Sequence, residues 1–226
     1  MKITWLGHAA FLIEGKDTIL VDPFLSGNPH AAVKPEDIKC DIIAVTHGHS
    51  DHLGDAVKIS KRCKVPVVAI AELSNFLSQK GVESLGMNFG GTIKVKNTTI
   101  TMVPAWHSAG IGEAKFGHSG GTAAGLIINS GKKVYHMGDT CLFLDLKLIG
   151  ELYTPDVMMV PVGGLYTMNI KTAAMAVEWV KPEIAIPMHY NTWPIIEADP
   201  NEFASEVASR CSSKVEVMNV GWSLEL

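Results

Sequence analysis

No segment of the chain offers the roughly 20 consecutive apolar residues that a membrane-spanning helix needs, because Pro, Gly or charge interrupts every apolar run. No membrane partner is expected. No secretory leader is expected either: in the first 21 residues no charged stretch precedes an unbroken apolar one, and no small-residue cleavage site follows. Cysteine is scarce. Cys40, Cys63, Cys141 and Cys211 stand far apart and form no C-x-x-C pair. A disulfide framework is therefore not expected; the thiols read as buried and free, in keeping with a reducing cytoplasmic location. A basic surplus is also lacking. Lys and Arg total 19 against 23 acids, for a formal net charge of −4. Without a basic stripe, sequence-independent binding to a nucleic-acid backbone has little to rest on.

What is present is an ordinary globular balance. The 226 residues are 47% hydrophobic and 19% charged, enough apolar mass for a sizeable core and no reason to expect disorder. One domain over residues 1–226 is expected. Short apolar runs bounded by turn residues predict strands at 2–6, 10–14, 18–21, 41–45 and 65–70. Further strands are predicted at 92–95, 98–103, 122–128, 133–137, 156–160, 183–187 and 214–218. Helical stretches are predicted at 54–61, 72–80, 144–150, 169–180 and 201–210. Residues 105–121, rich in Gly, Ser and His, read as a long functional loop. The order suggests two similar halves meeting near 110–120, with two sheets face to face and helices outside.

The segment Thr46-His47-Gly48-His49-Ser50-Asp51-His52 carries the chemistry. It leaves a predicted strand and enters a predicted helix. His47 and His49 can point toward one ion from such a loop, and Asp51 and His52 toward a second. Imidazole and carboxylate together suit divalent transition metals. Three histidines in a core would otherwise each need a buried partner. Four residues cannot close two coordination shells, so more ligands must come from elsewhere. His107, Asp139 and His189 each follow a predicted strand and are the candidates.

These motifs in this order resemble those of the metallo-β-lactamase superfamily, over essentially the whole chain. Trp5-Leu6-Gly7-His8-Ala9-Ala10-Phe11 and Val21-Asp22-Pro23-Phe24 resemble a family of small metal-dependent hydrolases more closely. That family is related to ascorbate-6-phosphate lactonases and N-acylphosphatidylethanolamine-hydrolysing phospholipases D. The resemblance implies an α/β fold, a four-layer αββα sandwich, with the site at one edge of the sheets. It implies one metal on His47, His49 and His107, a second on Asp51, His52 and His189, and Asp139 bridging them. A metal-bridging hydroxide would then cleave a small ester, lactone or phosphoester. Asp51 is the candidate proton acceptor. Asp22 is expected to orient a ligand histidine through its other ring nitrogen. Two divalent ions are implied, zinc by superfamily habit, with manganese, iron and nickel compatible with the same donors.

Four histidines remain. His30 reads as exposed, His118 as solvated or touching substrate, and His136 as a core hydrogen-bonding residue. His8 follows a strand at a Gly turn and is expected to reach the metal cluster, as an added ligand, a proton carrier or a packing group. Phe24, Trp106, Tyr166, Met168, Tyr190 and Trp193 divide between pocket wall and core, and Gly163-Gly164 offers a close backbone approach. A small-molecule substrate is the expected partner, with homo-oligomerisation left open. The competing readings are a nucleic-acid phosphodiesterase and a non-catalytic metal-binding scaffold. Cys141, two residues past Asp139, reads as a packed thiol.

Overall fold

The computed structural model describes residues 1–112 and 118–226. The chain opens with three antiparallel strands, β1 (Lys2–Gly7), β2 (Ala10–Glu14) and β3 (Thr18–Val21). Alternation sets their faces: Ile3, Trp5, Phe11 and Ile13 are buried while Lys2, Thr4, Leu12 and Glu14 are partly exposed. β4 (Ile42–Ala44) follows in parallel with β3 and is apolar throughout, as a strand covered on both faces must be. A one-turn helix, α1 (Ser50–Leu53), and α2 (Ala56–Cys63) lead to β5 (Val67–Ile70). Then α3 (Ala71–Gln79) and β6 (Ser84–Met87) complete a parallel run β3-β4-β5-β6.

The second sheet starts at β7 (Thr92–Val95) and β8 (Thr98–Pro104). The short pair β9 (Gly110–Ile111) and β10 (His118–Ser119) stands apart. β11 (Ala124–Asn129) and β12 (Lys133–His136) return to the sheet as a hairpin. α4 (Leu146–Tyr153), β13 (Val157–Pro161), α5 (Ile170–Val180), β14 (Ile184–Met188), α6 (Pro200–Ala208) and β15 (Lys214–Val215) then alternate, with β12 to β15 parallel. Side-chain caps start two of these helices. Asn169 accepts from Thr172 N at α5, and Asp199 accepts from Asn201 N at α6, where Pro200 occupies the first turn. Finally β16 (Ser223–Glu225) crosses back to pair with β1.

Two seven-stranded sheets result, ordered β16-β1-β2-β3-β4-β5-β6 and β15-β14-β13-β12-β11-β8-β7. One continuous core cluster holds buried residues from both, from Ile3 and Phe11 to Ile128 and Met159. The expected αββα architecture is therefore present. Asp17 fastens the sheets at the far end. It sits in the β2–β3 turn and accepts from Asn97 N at 2.8 Å and Thr98 Oγ1 at 2.7 Å, across the β7–β8 turn.

Several sequence expectations need correction. The chain changes sheets between Met87 and Thr92, not at 110–120. The long loop after β8 leaves and re-enters the same sheet. The helix expected at 144–150 is displaced to Leu146–Tyr153, and β16 was not foreseen. None of the four free cysteines is fully buried. Cys40, Cys63 and Cys211 are half-buried and Cys141 is exposed, so Cys141 is not a packed thiol. His30 is exposed, as expected. His136 lies in the core with Nε2 2.9 Å from Ala9 O, a bond between the two sheets. The side chain of His118 lies outside the described residues.

Candidate metal centre

Parallel strands deliver their C-terminal ends to one edge of the sandwich, and the loops there carry the chemistry. Val45 N bonds Val68 O, and Thr46 then leaves β4 through its own link, its N–H donating to Asp22 Oδ1 at 2.8 Å. Asp22 ends β3 at φ +44°, fully buried. From there the chain turns through His47, Gly48 and His49 into α1. Gly48 has no room for a side chain, since a Cβ would sit 2.7 Å from Ile111 Cγ1 of the loop folded over it. His107 follows β8, Asp139 follows β12 and His189 follows β14. His8 comes from the β1–β2 turn at φ +55°. His189 is also strained, at φ +57°, with its N–H donating to His8 O at 3.1 Å.

All eight sequence candidates converge. Three overlapping groups form, each with its donor atoms mutually within 4.8 Å: His47, His49 and His107; His47, His52 and Asp139; and His8, Asp51, His52 and His189. Asp139 stands between the first and the last. Its Oδ2 is 3.5 Å from His107 Nε2 and 3.1 Å from His189 Nε2, and its Oδ1 is 3.2 Å from His52 Nε2. Asp51 Oδ2 lies 3.2 Å from His8 Nε2 and 3.7 Å from His189 Nε2.

The outer nitrogens of three of these rings are held from behind. His52 Nδ1 donates to Asp22 Oδ2 at 2.7 Å. Thr46 Oγ1 also donates to Asp22 Oδ2, at 2.6 Å, which leaves its lone pairs to accept from His47 Nδ1 at 3.0 Å. One buried carboxylate thus fixes two rings with their Nε2 atoms facing inward. Asp22 was expected to do this for one histidine. The Thr46 relay to His47 was not foreseen, although the Thr-His pair was in view. Thr192 was missed entirely. Its hydroxyl lies 2.7 Å from His8 Nδ1, across 184 positions of sequence. The remaining named pocket candidates separate: Phe24 and Trp193 flank His8, with ring centroids at 5.8 and 5.2 Å. Met168 and Tyr190 are core residues, while Trp106 and Tyr166 are exposed.

The electrostatics are those of a cation site. Burial holds His47, His49 and His107 below their ordinary values, and lowers His8 to about 4. Burial opposes charge at His52 as well, but the Asp139 and Asp22 carboxylates outweigh it and raise that ring well above its ordinary value. His189 is raised to about 9, burial again being outweighed by Asp139. Carboxylates that favour a proton at these nitrogens favour any other cation there. The buried polar atoms without a hydrogen-bond partner include His52 Nε2, Asp139 Oδ1 and both ring nitrogens of His189. Each such group costs about 1–3 kcal/mol when left unsatisfied. A divalent cation answers most of them at once, and the donors are the imidazole nitrogens and carboxylate oxygens that transition metals take. The residues fit a metal. A cavity of about 630 Å³ between α4 and α5 lies at the opposite end of the sheet, lined by Asp156 and Glu183 before β13 and β14, and holds none of them.

Comparison with known proteins agrees with this geometry. The profile of the Beta-lactamase superfamily domain matches residues 2–189. A UPF0173 metal-dependent hydrolase of Archaeoglobus fulgidus is 55% identical, over 100% of this chain and 99% of its own length. One from Pyrococcus furiosus is 52% identical, over the full length of both. Among solved structures, the metallo hydrolase Igni18 of Ignicoccus hospitalis superposes with a TM-score of 0.90 at 40% identity, covering 100% of this chain and 98% of that one. An isothiocyanate hydrolase from Delia radicum gut bacteria shares the fold, with a TM-score of 0.74 at 17% identity over 100% and 99% of the two chains. No helix among the described residues is long and apolar enough to cross a membrane. With its histidine groups, its two sheets and these relatives, the chain belongs to the beta-lactamase superfamily and, within it, to the UPF0173 metal-dependent hydrolases.

Proposed function

We propose that this metal-dependent hydrolase works with two divalent ions and cleaves a small ester, lactone or phosphoester. The observation that carries the reading is the position of Asp139. Its Oδ2 faces His107 on one side and His189 on the other, between two groups that each hold three or more donors. His47, His49 and His107 would hold one ion. Asp51, His52 and His189 would hold the other, with His8 within reach of it and Asp139 shared. Ions bound there supply Lewis acidity, lowering the pKa of water toward neutrality and polarising the scissile group.

The chain's own residues do the rest. Asp22 and Thr46 lock ring orientation, so that the donors are in place before any ligand arrives. Phe24 and Trp193, with rings 6.0 Å apart, close the His8 side against bulk water. Asp51 is the one ligand carboxylate with solvent access, its side chain about a quarter exposed against 3% for Asp139. It is therefore the carboxylate placed to hold a proton at Oδ2 and release it to solvent. Burial raises its pKa, but the His189 and His8 rings facing it outweigh that and keep it far below the ordinary carboxylate range. A proton taken up there is soon released.

Elemental analysis of freshly purified protein, run beside a screen of lactone, carboxylic ester and phosphodiester substrates, tests the reading. About two divalent ions per chain and turnover of at least one class are expected. Full occupancy with no turnover of any would reduce the centre to a structural one.

A further inference from the structure

The loops around the metal edge share a composition that the ligand set does not require. Segments 22–28, 46–55, 105–112, 138–145, 162–169 and 189–199 contain no Lys or Arg, while several carry Asp or Glu. The nearest described cations in sequence are Lys147, which stacks on Trp179 and lines the cavity at the opposite end of the sheet, and Lys171, exposed in the first turn of α5. Lys171 shares a cavity of about 550 Å³ with Glu197, Asp199 and Glu202. Lys115 falls within 113–117, outside the described residues. A substrate phosphate remote from the metals needs a guanidinium, an ammonium or a helix N-terminus free of acids. Among the described residues of these loops no guanidinium or ammonium is offered; the first turn of α5 has no acid, but Asn169 already caps its Thr172 N–H and Glu197, Asp199 and Glu202 line the cavity beside it.

The same loops hold exposed apolar side chains. Trp106 follows β8, Leu144 follows β12, Leu165 and Tyr166 follow β13, and Ile195 follows β14. All five are more than half exposed. Among the described residues the other exposed large apolar ones lie elsewhere, Leu148 and Leu152 on α4 and Trp222 and Leu226 at the C-terminal strand. Scattered apolar residues on a surface need no explanation, but a set confined to the loops of one sheet edge, beside a ligand cluster, marks a binding rim. Behind it, Phe24 and Trp193 give the wall next to His8 the same character.

We infer that the substrate is an uncharged ester or lactone with an apolar tail, held by the ring of Trp106, Leu165, Tyr166 and Ile195 while its carbonyl reaches the metal edge. This rests on the hydrolase reading above and narrows it: phosphorylated lactones and phosphodiesters are poor substrates. In the reaction one water is added, the acyl C–O bond breaks and a new C–O bond forms to the water oxygen. One water proton ends on the departing alkoxide, giving an alcohol and a carboxylic acid, or a hydroxy acid from a lactone.

The test pairs turnover with binding, on metal-loaded protein as purified. Turnover compares δ-decalactone, δ-valerolactone and phosphorylated gluconolactone. Binding follows tryptophan fluorescence on titration with undecanone, an uncharged ketone that cannot be hydrolysed. The expected result is a kcat/KM for δ-decalactone about tenfold or more above that for phosphorylated gluconolactone. Undecanone should quench saturably. Trp106→Ala should lower the ratio of δ-decalactone to δ-valerolactone turnover severalfold, and Tyr166→Phe should preserve it. Preference for the phosphorylated lactone, or a ratio indifferent to Trp106→Ala, overturns the inference. Absence of all turnover defeats the hydrolase reading instead; saturable undecanone binding would then still uphold the apolar site, and its absence would remove it. Cosedimentation with phosphatidylcholine vesicles, or dimerisation abolished by Leu165→Asp, would assign the rim to a lipid surface or a second copy and overturn the inference.

Discussion

Asp22 Oδ2 lies 2.7 Å from His52 Nδ1, and both residues are fully buried. The carboxylate also takes the Thr46 hydroxyl and, through it, sets the His47 ring. One side chain therefore orients a candidate ligand in each of two groups. Asp22→Ala should weaken metal retention by about 10–100-fold, the usual cost of losing such a partner. Competition against a chelator of known affinity measures it. Retention equal to that of the unaltered protein would show that packing alone holds the two rings.

Removing the metals should cost stability as well as activity. The unpartnered atoms at His52, Asp139 and His189 lose their cation, and His52 and His189 are left close to other rings, 4.1 Å from His47 and 4.0 Å from His8 between centroids. Binding to the native state alone stabilises by about 2.7 kcal/mol when free ligand stands at a hundred times its dissociation constant. Thermal unfolding of chelated and metal-restored protein reads this directly. A midpoint that rises on adding zinc, manganese or nickel, together with recovered turnover, is the expected outcome. An unchanged midpoint would mean that the ligand cage is rigid without its ions.

The metal edge was legible in the sequence because its residues obey a local rule. His107, Asp139 and His189 each come straight after a strand, and strand ends are marked by short apolar runs and turn residues. For Asp139 and His189 the shared edge follows from β12 to β14 being parallel, which alternating strands and helices announce; β8 brings His107 there because the antiparallel β11 lies between it and β12. Long-range pairing has no such signature. Nothing near Thr192 says that it meets His8, and nothing near Ser223 says that β16 closes on β1, because register between distant strands is set by the assembled core. The change of sheet at 88–91 was hidden for a similar reason. A four-residue link carries less visible signal than the long loop at 105–121, which drew the boundary to itself.

His8 is the ligand candidate whose contribution is least forced by the others. Its Nε2 faces Asp51 and its Nδ1 is fixed by Thr192, so the ring is aimed at the second group from behind. His8→Ala should lower the metal content of that group, leaving closer to one tightly held ion per chain than two, as read by elemental analysis after dialysis. Thr192→Val, which removes only the fixing hydroxyl, should show a smaller loss in the same direction. Full metal content with normal turnover in His8→Ala would assign the ring to packing between Phe24 and Trp193.

At the far end of the sandwich, Asp17 offers a prediction independent of any metal. Its carboxylate, 7% exposed, accepts from Thr98 Oγ1, Asn97 N and Asn97 Nδ2, while its own N–H donates to Ser130 Oγ at 3.1 Å. Three turns, from both sheets, meet on it. Burial raises its pKa, but the bonds from Thr98 and Asn97 outweigh that and hold it below the ordinary carboxylate value. A folded-state pKa below the unfolded one adds stability that is complete above the unfolded value, about 4, and is lost as pH falls through the lower folded value. Asp17→Asn keeps the shape, removes the charge and turns one acceptor into a donor facing donors. At pH 7 it should cost about 2 kcal/mol in urea unfolding, the scale of a hydrogen bond to a charged group. The gap to the unaltered protein should hold from pH 7 to about 5 and narrow below about 4, as the native aspartate protonates. A gap that persists undiminished in acid would mean that the loss comes from the amide donor facing donors and that the charge of Asp17 does not tie the sheets.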